Sequence, residues 1–220
     1  VPTGAAGTGA DRSQRRASYQ QARSHETKRA LVQAAVALWR ANGYTATTVA
    51  DICRAAGVSK GLFYFYFPRK EDVLLEIGVL STRGARRTAH ELLRGPYDVT
   101  AVVAATLGGL ERSMRRNPPE LIIETILESY RHELRALAGE VPPEPAPLIF
   151  GDLFDRAVAD GALPGHVDAA RLARLAQSLV SEGARHWAAG AYAPRSFADV
   201  VTEDITALIA GFSQPPPPPA

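Results

Sequence analysis

Residues 47–70 read Thr-Thr-Val-Ala-Asp-Ile-Cys-Arg-Ala-Ala-Gly-Val-Ser-Lys-Gly-Leu-Phe-Tyr-Phe-Tyr-Phe-Pro-Arg-Lys, and no other stretch narrows the fold as far. Thr48 is a natural N-cap, with Asp51 three residues on near the positive helix end. Val49, Ile52, Cys53 and Ala56 then recur on one helical face. Gly57-Val58 turns the chain and Ser59 caps a second short helix. Two short helices joined by a tight turn form a helix-turn-helix. The second opens with a lysine, a small glycine and phenolic hydroxyls, which suits contact with a phosphate-lined groove.

Charge distribution agrees with that reading. The chain of 220 residues has a net charge of only +2. Residues 1–95 hold 15 Lys/Arg against 7 Asp/Glu, a balance of +8, while residues 96–220 hold 10 against 16, or −6. A basic N-terminal part points to nucleic acid. The single cysteine, Cys53, excludes a disulfide framework and is expected as a small core residue. With no hydrophobic leader and no apolar run of membrane-spanning length, a soluble, cytoplasmic protein with no membrane partner is expected.

Helical periodicity runs almost throughout, with no alternating strand pattern, so the expected fold class is all-α with about nine helices. Five segments are expected: a disordered basic arm at 1–23, a DNA-binding head at 24–69, a connecting helix at 70–95, a body at 96–213, and a proline-rich tail at 214–220. In the first helix, from Ser24 to Asn42, Leu31, Ala35, Leu38 and Asn42 share a face flanked by Val32, Val36 and Trp39. Further helices are expected at 98–116, 119–138, 145–160, 168–189 and 196–212, separated by proline- and glycine-rich breaks. Gly78 and Gly84 lie inside the connecting helix, as hinges or as points of close packing. The last two helices carry apolar stripes that belong to a core or to a partner copy. Two-fold symmetry gives a helix-turn-helix protein two half-sites, which favours a homodimer interface through Leu172, Leu175, Leu179, Val201, Ile205 and Leu208.

The segments Ala41-Asn-Gly-Tyr-Thr-Ala-Thr-Thr-Val-Ala-Asp-Ile, Ala55-Ala-Gly-Val-Ser-Lys-Gly and Phe63-Tyr-Phe-Tyr-Phe-Pro-Arg-Lys-Glu-Asp-Val-Leu closely resemble the tetracycline-repressor (TetR) family. The Phe-Tyr-Phe-Tyr-Phe-Pro run is similar to the mycobacterial ethionamide-resistance repressor group. The likeness covers roughly residues 27–80. It implies a homodimeric transcriptional regulator, not an enzyme, with no cofactor and with double-stranded operator DNA and a small-molecule effector as partners. Helices one to three would bind DNA, the fourth would transmit, and the body would bind effector and partner copy. Repression of a palindromic operator, relieved by a small and largely apolar effector, follows from the same resemblance.

The DNA-binding residues expected are Thr47, Thr48, Ser59, Lys60, Gly61, Leu62, Tyr64, Phe65, Tyr66 and Lys70. Among them, Gly61 lets the backbone approach the duplex, Lys60 reaches a base edge or a phosphate, and Tyr64 and Tyr66 offer hydroxyls to phosphates, with Phe63 and Phe67 turned inward. Thr47, Thr48 and Lys70 serve as phosphate clamps by carry-over from the family. Leu62 and Phe65 replace residues that are often small or polar, and often histidine, in the family; they contact thymine methyl groups or pack within the head. Arg69 replaces a Ser-type cap and is expected to compensate at a phosphate when DNA is bound. Arg12, Arg15, Arg16 and Arg23 form either a solvated arm or a minor-groove arm. Ligand-lining residues are guessed as Leu107, Leu110, Met114, Ile126, Tyr130, Phe150, Phe154 and Trp187.

Two other readings stand beside this one. Glu120, Glu124, Glu128 and His132 form a polar stripe, but a di-metal carboxylate centre uses Glu-x-x-His pairs. Glu128…His132 and Glu182…His186 are each one residue too long, so no metal ligand is assigned. A metal-binding helical enzyme with a DNA-binding-like head is the alternative from another class. An effector-independent regulator is the third.

Overall fold

The computed structural model describes residues 8–142 and 147–215, with the side chains of residue 19 and of residues 21 onward. Its described residues form nine α-helices and no strand: α1 Thr8–Asn42, α2 Val49–Ala56, α3 Lys60–Tyr66, α4 Asp72–Leu92, α5 Val99–Met114, α6 Pro119–Leu137, α7 Gly151–Ala159, α8 Ala169–Ala188 and α9 Phe197–Ser213. The chain divides into two compact units, Val1–Val73 and Leu74–Ala220. Among the described residues no helix is long and apolar enough to cross a membrane.

Helix α1 begins at Thr8, which corrects the expected disordered arm over its described part. Residues 11–42 contain neither glycine nor proline and are rich in Arg, Gln and Ala, all good helix formers, so nothing local stops the helix before Gly43. The side chains of Arg12, Arg15 and Arg16, residues 1–7 and the terminal prolines from 216 lie outside the described residues. The buried face of α1 is Leu31, Val32, Ala35 and Trp39. It is rotated from the expected face, since Asn42 is exposed and Leu38 only half-buried. Ile52, Cys53, Phe63 and Phe67 complete the buried set of this unit.

In the second unit α5, α7, α8 and α9 enclose the core, with α6 against α8. Local chemistry starts α5, α6, α8 and α9. Asp98, Asp168 and Ser196 accept from Ala101, Arg171 and Asp199 N–H, and Pro119 opens α6. Helix α7 starts at Gly151, later than expected, because the proline-rich stretch before it cannot supply helical N–H donors. Glu111 on α5 is buried; its Oε2 accepts from Ala198 N–H at 2.9 Å, in the first turn of α9, and its Oε1 from Arg115. That carboxylate satisfies an N-terminal donor that α9 cannot satisfy itself.

Leu172, Val201 and Ile205 are fully buried within the chain, which removes them from the expected dimer interface. Helices α8 and α9 turn these faces toward each other and toward α5, because Gly183 lets α8 approach α9 closely. A Cβ at 183 would lie 2.3 Å from Val201 Cγ2. Leu175 remains 38% exposed, and Leu179 and Leu208 are half-buried.

Candidate nucleic-acid interface

A capping box starts α2. Thr48 N–H and Oγ1–H donate to Asp51 Oδ2 at 3.1 and 2.6 Å, and Asp51 N–H donates back to Thr48 Oγ1 at 3.2 Å. The Thr48 hydroxyl and N–H, with the Arg54 guanidinium beside them, hold the Asp51 carboxyl below its usual range. At its other end Gly57 adopts φ +67° and its N–H reaches the carbonyls of Cys53 and Arg54. That left-handed conformation favours glycine, and Val58 N–H closes the turn on Cys53 C=O at 3.0 Å. Ser59 Oγ then accepts from Leu62 N–H at 3.2 Å, starting α3.

Helix α3 has two chemically different faces. Phe63 and Phe67 are buried, with ring centroids 5.7 Å apart. Lys60, Gly61, Leu62, Tyr64 and Phe65 are exposed, with Leu62 at 37%, Tyr64 at 51% and Phe65 at 76%. The geometry therefore decides one question left open by sequence: Leu62 and Phe65 do not pack into the core. Tyr66 is half-buried, and its hydroxyl donates to Ser24 Oγ on α1 at 3.0 Å, fixing α3 against α1.

Three expected phosphate contacts are corrected. Thr47 is 2% exposed and its hydroxyl donates to Gly43 C=O at 2.9 Å, so it is a member of the loop and not a surface donor. Lys70 Nζ donates to the carbonyls of Tyr44 and Thr47, each at 3.1 Å, and lies 4.2 Å from the Tyr44 ring centroid. The ammonium holds the α1–α2 loop closed from inside; sequence gave no warning, since both partners lie more than 20 residues away. Arg69 is paired with Asp72 at 2.6 Å, while Arg69 N–H donates to the other oxygen of that carboxylate at 2.9 Å. Asp72 thus supplies the local cap from inside α4.

The other candidate groups lie in the second unit. Leu107, Leu110, Met114, Phe150 and Phe154 belong to its buried core, and Ile126 and Trp187 pack against it. Tyr130 is 46% exposed on α6, too open to line that core. Glu128, expected on a polar stripe of α6, is buried and faces Arg135 at 2.8 Å and Arg131 at 3.5 Å. Glu182 pairs with Arg185 and His186. Arginines thus occupy both carboxylates of the candidate metal pairs, and among the described residues no three His, Cys, Asp or Glu converge.

A basic helical head with a capped turn and an exposed α3 defines a helix-turn-helix protein of all-helical build. The profile of the bacterial regulatory proteins of the tetR family matches residues 31–77. The HTH-type transcriptional repressor KstR of Mycolicibacterium smegmatis is 29% identical over 139 residues, covering 62% of this chain and 65% of KstR. The fatty acid metabolism regulator protein of Bacillus subtilis is 40% identical over 47 residues, 21% of this chain and 24% of that protein. Among solved structures, Thermus thermophilus FadR, a TetR-family transcriptional repressor in complex with lauroyl-CoA, superposes with a TM-score of 0.68 at 25% identity. That match covers 88% of this chain and 98% of FadR. Residues 31–77 thus form a DNA-binding head of the TetR family, and the chain as a whole shares the fold of a TetR-family repressor. It spans just under two thirds of the length of the KstR repressor it matches.

Proposed function

We propose that this chain is a sequence-specific DNA-binding transcriptional regulator, not an enzyme, acting as a homodimeric repressor on a palindromic operator. One observation carries the reading: α3 exposes a ridge of Lys60, Leu62, Tyr64 and Phe65 around a glycine that nothing inside the chain requires. A Cβ at Gly61 would meet nothing nearer than Ser59 Oγ, at 3.9 Å. Glycine is unfavourable in a helix by roughly 1 kcal/mol, so its value at 61 lies in what approaches from outside. Lys60, Tyr64 and the exposed Thr48 and Ser59 flank that opening. Phosphate and base-edge contacts from these groups are the proposed DNA interface, with Thr47 and Lys70 supporting it from within.

The proposed effector is small and largely apolar, and binding it in the body releases the operator through α4. The lauroyl-CoA held by the Thermus thermophilus relative makes fatty acyl-CoA thioesters the first class to try. Leu107, Phe150 and Phe154 are the apolar groups around which an acyl chain would lodge. Titration of the protein into fluorescent DNA from its own upstream region, against a scrambled duplex at two salt concentrations, tests the DNA reading. Tight, salt-sensitive preference for the native duplex is expected, and equal binding to both duplexes argues against it. Adding acyl-CoAs of graded chain length should then dissociate the complex; indifference to all of them rejects this effector class while leaving the regulator intact.

A further inference from the structure

The exposed side of α3 is unusual for a surface meeting a polyanion: its most open large apolar residue is Phe65, at 76%, and Leu62 stands one helical turn away. Side chains three apart on a helix are neighbours, with Cβ atoms about 5–6 Å apart, so the two make one apolar edge. Gly61 adjoins it on the helix surface, with the exposed Tyr64 and Lys60 further round the same helix, within the part of the chain that carries the +8 charge balance. Phe65 is also braced. Its ring meets the edge of Tyr66 with centroids 5.1 Å apart, and Tyr66 is tied through its hydroxyl to Ser24. A supported apolar edge on a helix that also exposes a lysine and a tyrosine hydroxyl complements the major groove wherever that groove presents a methyl group between phosphate rows. The C5-methyl of thymine is the apolar group that a base pair offers there.

We propose that Leu62 and Phe65 form an apolar reading edge that selects thymine by its C5-methyl group. The inference rests on the DNA-binding reading above and deepens it from contact to specificity. The spacing of the two side chains covers one to two base-pair steps of about 3.4 Å. Each half-site should therefore carry two thymines one or two steps apart where α3 enters the groove.

The test uses the full-length protein and an operator duplex in which each thymine is replaced singly by deoxyuridine, which removes only the methyl group. Wild-type affinity should fall roughly three- to fivefold at two positions per half-site, the worth of a buried methyl-sized group. Phe65→Ala should lose sensitivity at one of them and Leu62→Ala at the other, with circular dichroism unchanged because neither side chain is part of the core. Wild-type binding indifferent to every thymine methyl overturns the proposal, as do variants that keep the full wild-type pattern. Loss of affinity in Phe65→Ala without any deoxyuridine effect would mean a ring wedged between bases, and also overturns it. Failure of the wild-type protein to select any duplex removes the regulator reading itself, a result distinct from the others.

Discussion

Gly61, Lys70 and Thr47 separate the proposed DNA-facing surface from the residues that hold it in place. Gly61 has open space beyond its Cα, so Gly61→Ala should be accepted by the fold and gain roughly 0.4–1 kcal/mol by restricting the unfolded chain. The same methyl would stand between backbone and duplex, so operator affinity should fall; thermal unfolding and DNA titration of one sample check both signs. Lys70 gives the opposite pattern. Its ammonium bridges two loop carbonyls, so Lys70→Met should destabilise the head in chemical denaturation while leaving the slope of log affinity against log salt unchanged. A direct phosphate contact would reduce that slope by about 0.9. The exposed side of α3 was legible because five aromatics in succession cannot share one face. The burial of Thr47 was not, because it depends on the path of the loop around it.

Among the elements, α8 and α9 are joined through Gly183, whose absent side chain is filled by Val201, with Phe197 and the Tyr192 hydroxyl close by. Gly183→Ala should destabilise the body by about 1–3 kcal/mol through overpacking. Combining it with Val201→Ala should cost less than the sum of the two single changes, since each relieves the other's misfit; a denaturation cycle over the four proteins measures this. The starts of α5, α6, α8 and α9 were readable because Asp98, Pro119, Asp168 and Ser196 announce them by local chemistry, and those of α1 and α7 were not. The service of Glu111 to α9 was not readable, because its partner lies 87 residues away. Nor could periodicity distinguish a stripe buried in its own chain from one kept for a second copy. Leu172, Val201 and Ile205 were lost to the core for that reason.

For the whole molecule, the proposed homodimer through α8 and α9 has as its available apolar groups chiefly Leu175 and the half-buried Leu179 and Leu208. Leu175→Glu should yield a folded monomer in sedimentation with much weaker operator binding, because a single head reads one half-site. A dimer that persists unchanged would move the interface elsewhere. The division of labour within Phe63–Phe67 reaches further than any single contact. Phe63 and Phe67 hold α3 in the core, while Leu62 and Phe65 are exposed and lie outside it. Substitutions at 62 and 65 therefore change what is read without taxing stability, so gene duplicates of such a protein can drift to new target sequences while the scaffold stays under undisturbed selection.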